Sequence, residues 1–119
     1  MRNDLKLLLE KYIPLGILKG VEFLLPPEVA IPFVDDLVAR NVKINGCDLW
    51  KYIDRKNNQI VALLGAGMMM HDANKETVHG RGEAVKNYIQ NHLPEDAQLV
   101  SLIYDEDDIY DLVRELVNH

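Results

Sequence analysis

The chain has 119 residues, of which 48% are hydrophobic and 27% charged, and its formal net charge is −6. These values are ordinary for one soluble globular domain, so we predict a single domain over residues 1–119. The sequence contains one cysteine, Cys47, which excludes an internal disulfide and favours a reducing, cytoplasmic location. The N-terminus lacks a signal-peptide core, and no stretch approaches the roughly 20 apolar residues of a membrane span.

The net charge comes entirely from the last third of the chain. Residues 1–80 contain ten acidic and ten basic residues, whereas residues 81–119 contain nine acidic and three basic ones. The acids are densest at Asp105, Glu106, Asp107 and Asp108. A field of one sign attracts basic partners and repels nucleic acid and anionic membranes. We therefore expect a basic protein partner, and neither nucleic acid nor a membrane.

The first part of the chain predicts two helices. Leucines spaced three and four residues apart predict a helix over residues 4–12, with Asn3 as its cap. Residues 21–25 are compatible with a short strand. A second helix follows two prolines and extends to about Arg40, and Pro32 is best placed in its first turn.

The middle of the chain predicts β-structure. Asn45-Gly46 is a strong signal for a turn or a bulge. The strand over residues 49–53 that follows places Trp50 and Tyr52 on one side of the pleat. After a polar turn, the unbroken apolar run within residues 59–64 predicts a central strand that is covered on both faces.

The last part of the chain predicts a helix, a strand and a final helix. After a loop over residues 71–82, the apolar spacing favours a helix over residues 83–91, and residues 99–104 form an apolar strand. Asp105 or Asp107 caps a last helix that has a full 3.6-residue apolar stripe. Together the elements predict an α/β (α+β) fold, in which about four α-helices pack on a single layer of 3–4 β-strands.

No group of residues forms a convincing catalytic constellation, so we expect neither an enzyme nor a bound cofactor. Gly65-Ala66-Gly67 follows an apolar strand, but the third glycine of a dinucleotide-binding turn is missing. His71, Asp72 and His79 carry groups that bind divalent metals, although loop histidines are normally solvated, and we expect no metal. A ligand-binding role for the loop over residues 71–82 stays open as a third alternative.

The acidic segment near the C-terminus is the best candidate binding site. Asp108, Asp111 and Glu115 recur at i, i+3 and i+7, so they share one face of the last helix. Arg114 is the one basic residue of that helix, and like-charged neighbours cost roughly a few tenths of a kcal/mol per pair. One interpretation is a capped, solvated helix start, and the other is an acidic docking surface. The candidate partner-binding residues are Asp105, Glu106, Asp107, Asp108, Asp111 and Glu115, with Trp50 as a candidate interface anchor.

Three short motifs resemble a known group of proteins. They are Ile13-Pro14-Leu15-Gly16-Ile17 after the leucine-rich helix, Ile44-Asn45-Gly46-Cys47-Asp48-Leu49-Trp50 after the second helix, and Tyr88-Ile89 before the terminal strand. Together they resemble the small immunity proteins of bacterial polymorphic toxin systems, in particular the colicin-immunity-like family numbered forty. The resemblance implies a cytoplasmic antidote that binds one cognate toxin domain and has no catalysis of its own.

Two functional hypotheses therefore lead. In the first, a toxin-neutralising immunity protein binds and occludes a toxin domain through its acidic C-terminal helix. A nuclease toxin would suit this hypothesis, because a nuclease needs a basic active site to bind phosphates. In the second, the chain is a small homo-oligomeric accessory or regulatory domain, such as a homodimer, whose acidic end only keeps it soluble.

Overall fold

The computed structural model describes residues 3–70 and 77–117. Within them the chain forms four α-helices, a short 3-10 turn (Ile13–Leu15) and six strands. The helices are α1 (Asn3–Tyr12), α2 (Pro27–Ala39), α3 (Val78–Asn91) and α4 (Asp108–Val117). The strands are β1 (Ile17–Lys19), β2 (Glu22–Leu25), β3 (Ile44–Asp54), β4 (Gln59–Ala62), β5 (Met68–Met69) and β6 (Leu99–Tyr104).

All six strands belong to one antiparallel sheet. The strand order is β1-β2-β6-β3-β4, and the short β5 also pairs with β3. The predicted α+β class with about four helices on a single sheet is therefore confirmed, but the sheet has six strands rather than three or four. The two additional strands, β1 and β5, are three and two residues long, which is too short for a readable alternation of apolar and polar residues.

The long strand β3 contains the bulge that Asn45-Gly46 predicts. Its register with β6 shifts between Ile44, which lies opposite Tyr104, and Gly46, which lies opposite Ile103. Gly46 is required here, because a side-chain Cβ would collide with the backbone carbonyl of Met68 and block the pairing of β5. Beyond the bulge the strand alternates regularly and aims Trp50 and Tyr52 at the same face, as the sequence predicts.

The predicted position of Pro32 is wrong. Pro27 already occupies the first turn of α2, and Pro32 lies inside the helix with its ring exposed. The helix nevertheless continues to Ala39, because Phe33, Val34 and Leu37 are buried completely in the core. Tertiary burial thus outweighs the hydrogen bond that a proline inside a helix removes.

The third helix starts at Val78, five residues before the predicted residue 83. Thr77 caps it, since its Oγ1 accepts a hydrogen bond from the Gly80 N–H at 2.9 Å. Gly82 then lets α3 approach α2 closely, because a Cβ at this position would lie 2.5 Å from Cγ2 of Val38. Residues 71–76 of the predicted loop lie outside the described residues, so its ligand-binding role stays a prediction.

The prediction for residues 59–64 is also wrong. Strand β4 ends at Ala62 and lies at the edge of the sheet, not at its centre. Val61 is 37% exposed and Leu64, in the following turn, is 93% exposed. The apolar run therefore does not indicate a strand that is buried on both faces, because its last residues belong to a turn and not to the strand.

The four helices cover one face of the sheet. Their buried side chains form a single core with the inward residues of β2, β3 and β6; among them are Leu9, Phe33, Leu37, Val85, Ile109, Phe23, Leu49, Val100 and Leu102. The opposite face carries a separate small cluster of Leu24, Ile60 and Leu99, against which Ile17, Trp50 and Tyr52 pack, and all six are strand residues. We call this second side the open sheet face; its polar residues include Glu22, Asp48 and Ser101, and Lys19 lies opposite Glu22.

A candidate protein-binding surface

Helix α4 presents its carboxylates to solvent because its apolar stripe faces the core. Ile109, Leu112 and Val113 are buried. The residues on the other side of the helix are therefore forced outward, and Asp108, Asp111 and Glu115 are all exposed. Asp107, directly before the helix, is exposed as well, so the start of α4 is a compact group of solvated acids.

The protein itself neutralises little of this charge. Arg114 Nη2 lies 3.7 Å from Asp111 Oδ1, but both side chains are about half exposed or more, so this ion pair is weak and screened by salt. Within the described part of the chain, Asp107, Asp108 and Glu115 form no ion pair. Within residues 3–70 and 77–117, these three carboxylates are therefore left for a cation from another molecule.

Asp105 and Glu106 differ from the other predicted site residues. Glu106 is half-buried, so less of its side chain is available to a partner. Asp105 is exposed, but its Oδ1 accepts a hydrogen bond from Asn45 Nδ2 at 3.2 Å. This bond ties the segment before α4 to the bulge of β3, and it fixes the direction of the Asp105 carboxylate.

A buried arginine supports this contact from inside the protein. Arg81 has no exposed surface; its Nη2 donates to Asn45 Oδ1 at 2.6 Å, and its Nε donates to the Ile44 carbonyl at 3.2 Å. Arg81 therefore orients Asn45, and Asn45 in turn holds Asp105. No sequence pattern indicates this role, because Arg81 lies in the segment predicted as a surface loop.

On the open sheet face, Trp50 starts a chain of hydrogen bonds that ends at a carboxylate. Its Nε1–H donates to Ser101 Oγ at 2.9 Å, and the Ser101 hydroxyl bonds to the carboxylate of Glu22. Partial burial raises the pKa of Glu22 and the nearby charge of Asp48 raises it further, while the Ser101 hydrogen bond opposes the shift. Trp50 is half-buried in this arrangement, so part of its ring is accessible.

Tyr110 connects the two acidic regions. It lies in the first turn of α4, and its hydroxyl oxygen accepts a hydrogen bond from the Tyr104 N–H at 3.1 Å. Burial raises the pKa of Tyr110; the Tyr104 hydrogen bond lowers it, and the charges of Glu22, Asp107 and Asp48 raise it again. The charges of carboxylates from both regions are therefore felt at Tyr110. We call the two groups together the acidic surface: Glu22, Asp48, Asp105, Asp107, Asp108, Asp111 and Glu115.

The described residues offer little support for a reactive cysteine, a metal site or a nucleotide-binding turn. Cys47 is fully buried, and burial raises its pKa to about 11, so it is a neutral thiol at physiological pH. Across residues 3–70 and 77–117, no three side chains form a metal-binding group; His79 is exposed, and His71 and Asp72 lie outside the described residues. Gly65-Ala66-Gly67 leads into β5 rather than a helix, so it lacks the helix N-terminus that holds a pyrophosphate.

Comparison with known proteins identifies no relative. No protein-family model, curated protein or solved structure matches the chain. In the parts of the chain that the structure describes, no helix is both long and apolar enough to cross a bilayer. The resemblance to immunity proteins therefore stays a prediction, and the function has to be argued from the acidic surface.

Proposed function

We propose that the protein binds a basic domain of another protein through the acidic surface, and that it acts in the cytoplasm as an immunity protein that neutralises a toxin. The observation that supports the proposal is the group of exposed carboxylates at Asp107, Asp108, Asp111 and Glu115, which Arg114 neutralises only weakly. The immunity role itself rests on the resemblance of three short sequence motifs. The protein needs no catalysis of its own for this function.

The proposed mechanism is occlusion. The carboxylates of Asp107, Asp108, Asp111 and Glu115, with Asp105 beside them, enter the basic cleft of the toxin in place of its anionic substrate. Opposite charges accelerate the encounter, and buried contacts around them determine how long the complex lasts. The apolar side of α4 is anchored in the core, so the acids are presented on a rigid element. A standard interface of this kind buries on the order of 1,600 Å².

The test begins with capture of the partner from cells that encode the protein, at about 0.05 M and about 0.5 M salt. Three forms are compared: the wild type, Asp107→Asn/Asp111→Asn, and a control with Glu95→Gln/Asp96→Asn. Asparagine is as well suited as aspartate to a helix start, so the first variant removes charge at little cost to the start of α4. Glu95 and Asp96 are exposed acids at the opposite end of β6, so the control removes the same charge elsewhere.

We expect the wild type and the control to retain a basic domain at low salt. Asp107→Asn/Asp111→Asn should bind the same domain about tenfold more weakly, a difference of about 1.4 kcal/mol in binding free energy. The purified domain should be inhibited at a one-to-one ratio, and co-expression should relieve its toxicity. A partner that all three forms bind equally at both salt concentrations contradicts the proposed surface. A partner whose activity is unaffected contradicts the immunity role.

The edge of the sheet favours a second candidate, a homodimer. Val61, Leu64 and Met69 are exposed apolar residues at or beside the strands β4 and β5, and β4 contains no charged residue. The Leu63 N–H donates a hydrogen bond to the Leu49 carbonyl of β3. Since alternate residues of an antiparallel strand bond to the same neighbour, the N–H and C=O groups of Ile60 and Ala62 point away from β3. Such an edge can pair with a second copy. Sedimentation tests it: a salt-insensitive dimer that Val61→Lys converts to a monomer would support this candidate.

A further inference from the structure

A cleft opens on the open sheet face between β2, β3 and the turn that follows β4. It has a volume of about 320 Å³, and its wall is formed by Glu22, Asp48 and Trp50 on one side and by residues 62–66 on the other. Leu64 and Gly65 belong to the turn that follows β4, so the far wall is mostly apolar. The cleft therefore combines an aromatic ring, two carboxylates and apolar walls.

The two carboxylates in the cleft lack a cation of their own. Within the described residues, neither Glu22 nor Asp48 forms an ion pair. Lys19 lies directly opposite Glu22 in the register of β1 and β2, yet its amine does not approach the carboxylate closely enough to pair. Glu22 is half-buried and Asp48 is exposed. A half-buried carboxylate without a cation is unfavourable for the folded chain, and a cation from outside that bridges to Asp48 would relieve this.

The aromatic residues of the same face show what kind of cation fits. Trp50 and Tyr52 lie two residues apart on β3 and point to the same side. The guanidinium of Arg55 lies over the Tyr52 ring, with its carbon 4.5 Å from the ring centroid. In the described chain no cation occupies the equivalent position over Trp50. One aromatic ring of the pair is thus covered by an arginine of the protein itself, and the other is open to the cleft.

We propose that this cleft binds an arginine side chain of the partner protein, with its guanidinium against Trp50 and its N–H groups donating to Glu22 and Asp48. This assignment rests on the proposed function and specifies part of its contact chemistry. A guanidinium is planar, stacks on aromatic rings and presents several donors in fixed directions, so it can satisfy both carboxylates at once. A lysine ammonium is a strongly hydrated point charge and lacks this geometry.

The test uses a small probe and therefore needs no identified partner. Nα-acetyl-arginine methylamide is titrated into the protein while the fluorescence of Trp50 and the NMR signal of its Nε1–H are recorded. Trp50 is the one tryptophan of the chain, so the fluorescence reports on this site alone. The corresponding citrulline derivative, which is neutral and nearly isosteric, and the lysine derivative serve as ligand controls. The protein variants are Glu22→Gln/Asp48→Asn and, as a control, Asp107→Asn/Asp111→Asn.

We expect saturable binding of the arginine derivative with a Kd on the order of 1 mM. The citrulline derivative should give no response, and the lysine derivative should bind at least about fivefold more weakly than arginine. Glu22→Gln/Asp48→Asn should lose the response, whereas Asp107→Asn/Asp111→Asn should retain at least about half of the wild-type affinity, because its charges lie outside the cleft.

Several results overturn the assignment. They are an equal response to arginine and citrulline, equal affinity for arginine and lysine, or full binding by Glu22→Gln/Asp48→Asn. A dimer that covers Trp50 and leaves the arginine derivative without effect overturns it as well. The proposed function is tested separately, since it depends on the captured partner and on Asp107 and Asp111. A partner that needs those acids but binds Glu22→Gln/Asp48→Asn normally would disprove the arginine site alone.

Discussion

The two faces of the sheet are built from the same strands, but the side chains on them have different roles. On β6, Val100, Leu102 and Tyr104 point toward the helices and are buried in the main core. The alternating residues Leu99, Ser101 and Ile103 point to the open sheet face, where Ser101 links Trp50 to Glu22. Packing dictates the first set completely. The second set includes one polar residue, Ser101, which is buried and whose hydroxyl joins Trp50 to Glu22 instead of packing in the main core.

The largest expected effect compares neighbouring residues on the two faces. Leu102→Ala should destabilise the protein by about 3 kcal/mol, because it leaves a cavity in the helix-covered core. Ile103→Ala, one residue further along β6, should cost about 1 kcal/mol or less, because this side chain is half-exposed. Urea unfolding measures both free energies. Equal losses would mean that another surface covers the open sheet face.

A smaller effect tests the packing of the covered side. Gly82→Ala in the interior of α3 would gain about 1 kcal/mol from helix propensity alone. We expect a net loss of about 1 kcal/mol instead, because the new methyl group would collide with Val38 and force α3 away from α2. Gln90→Ala, at an exposed position of the same helix, is the control and should change stability by less than about 0.5 kcal/mol. A stabilised Gly82→Ala protein would contradict the close approach.

The smallest effect comes from the charge on the open sheet face. Because the pKa of Glu22 is raised in the folded protein, the folded state holds this proton more tightly than the unfolded state does. The corresponding stability is fully present below the ordinary pKa of 4.5 and is lost as the pH rises through the raised pKa. Glu22→Gln should therefore be more stable than the wild type at pH 7 by roughly a few tenths of a kcal/mol, since the side chain is only half-buried and solvent screens its charge.

The pH profile of thermal unfolding checks the sign. The advantage of Glu22→Gln should shrink as the pH falls through the raised pKa of Glu22, and it should be absent below about 4, where the wild-type carboxyl is protonated in both states. Glu95→Gln, at an exposed loop position, should show no such trend. A Glu22→Gln protein that is less stable at neutral pH would show that the carboxylate is compensated in the fold, and the cleft would then have no need of an external cation.

The same contrast explains which parts of the structure the sequence could predict. Strand β6, the stripe of α4 and the alternation of Trp50 and Tyr52 follow from periodic patterns within one element. The start of α3 and the edge position of β4 depend on Thr77 and on the strand order, which no local pattern encodes. Among the site residues, the acids of α4 are visible because they are contiguous.

The rest of the site is assembled by the topology. Glu22, Asp48 and Ser101 lie far apart in the chain, and they meet only because β2, β6 and β3 are neighbours in the sheet. Each of them looks unremarkable alone: a surface acid, a surface acid and a small strand residue. Arg81 is a similar case, because its role depends on the bulge at Asn45 and on the position of α3.

The central claim is that free carboxylates on α4 attract a basic partner to this side of the molecule. The rate of association with the purified captured domain, measured across a range of salt concentrations, tests it most directly. We expect Asp107→Asn/Asp111→Asn to associate more slowly at low salt and to show a flatter salt dependence, while Glu95→Gln/Asp96→Asn follows the wild-type curve. Three superimposable curves would contradict the claim.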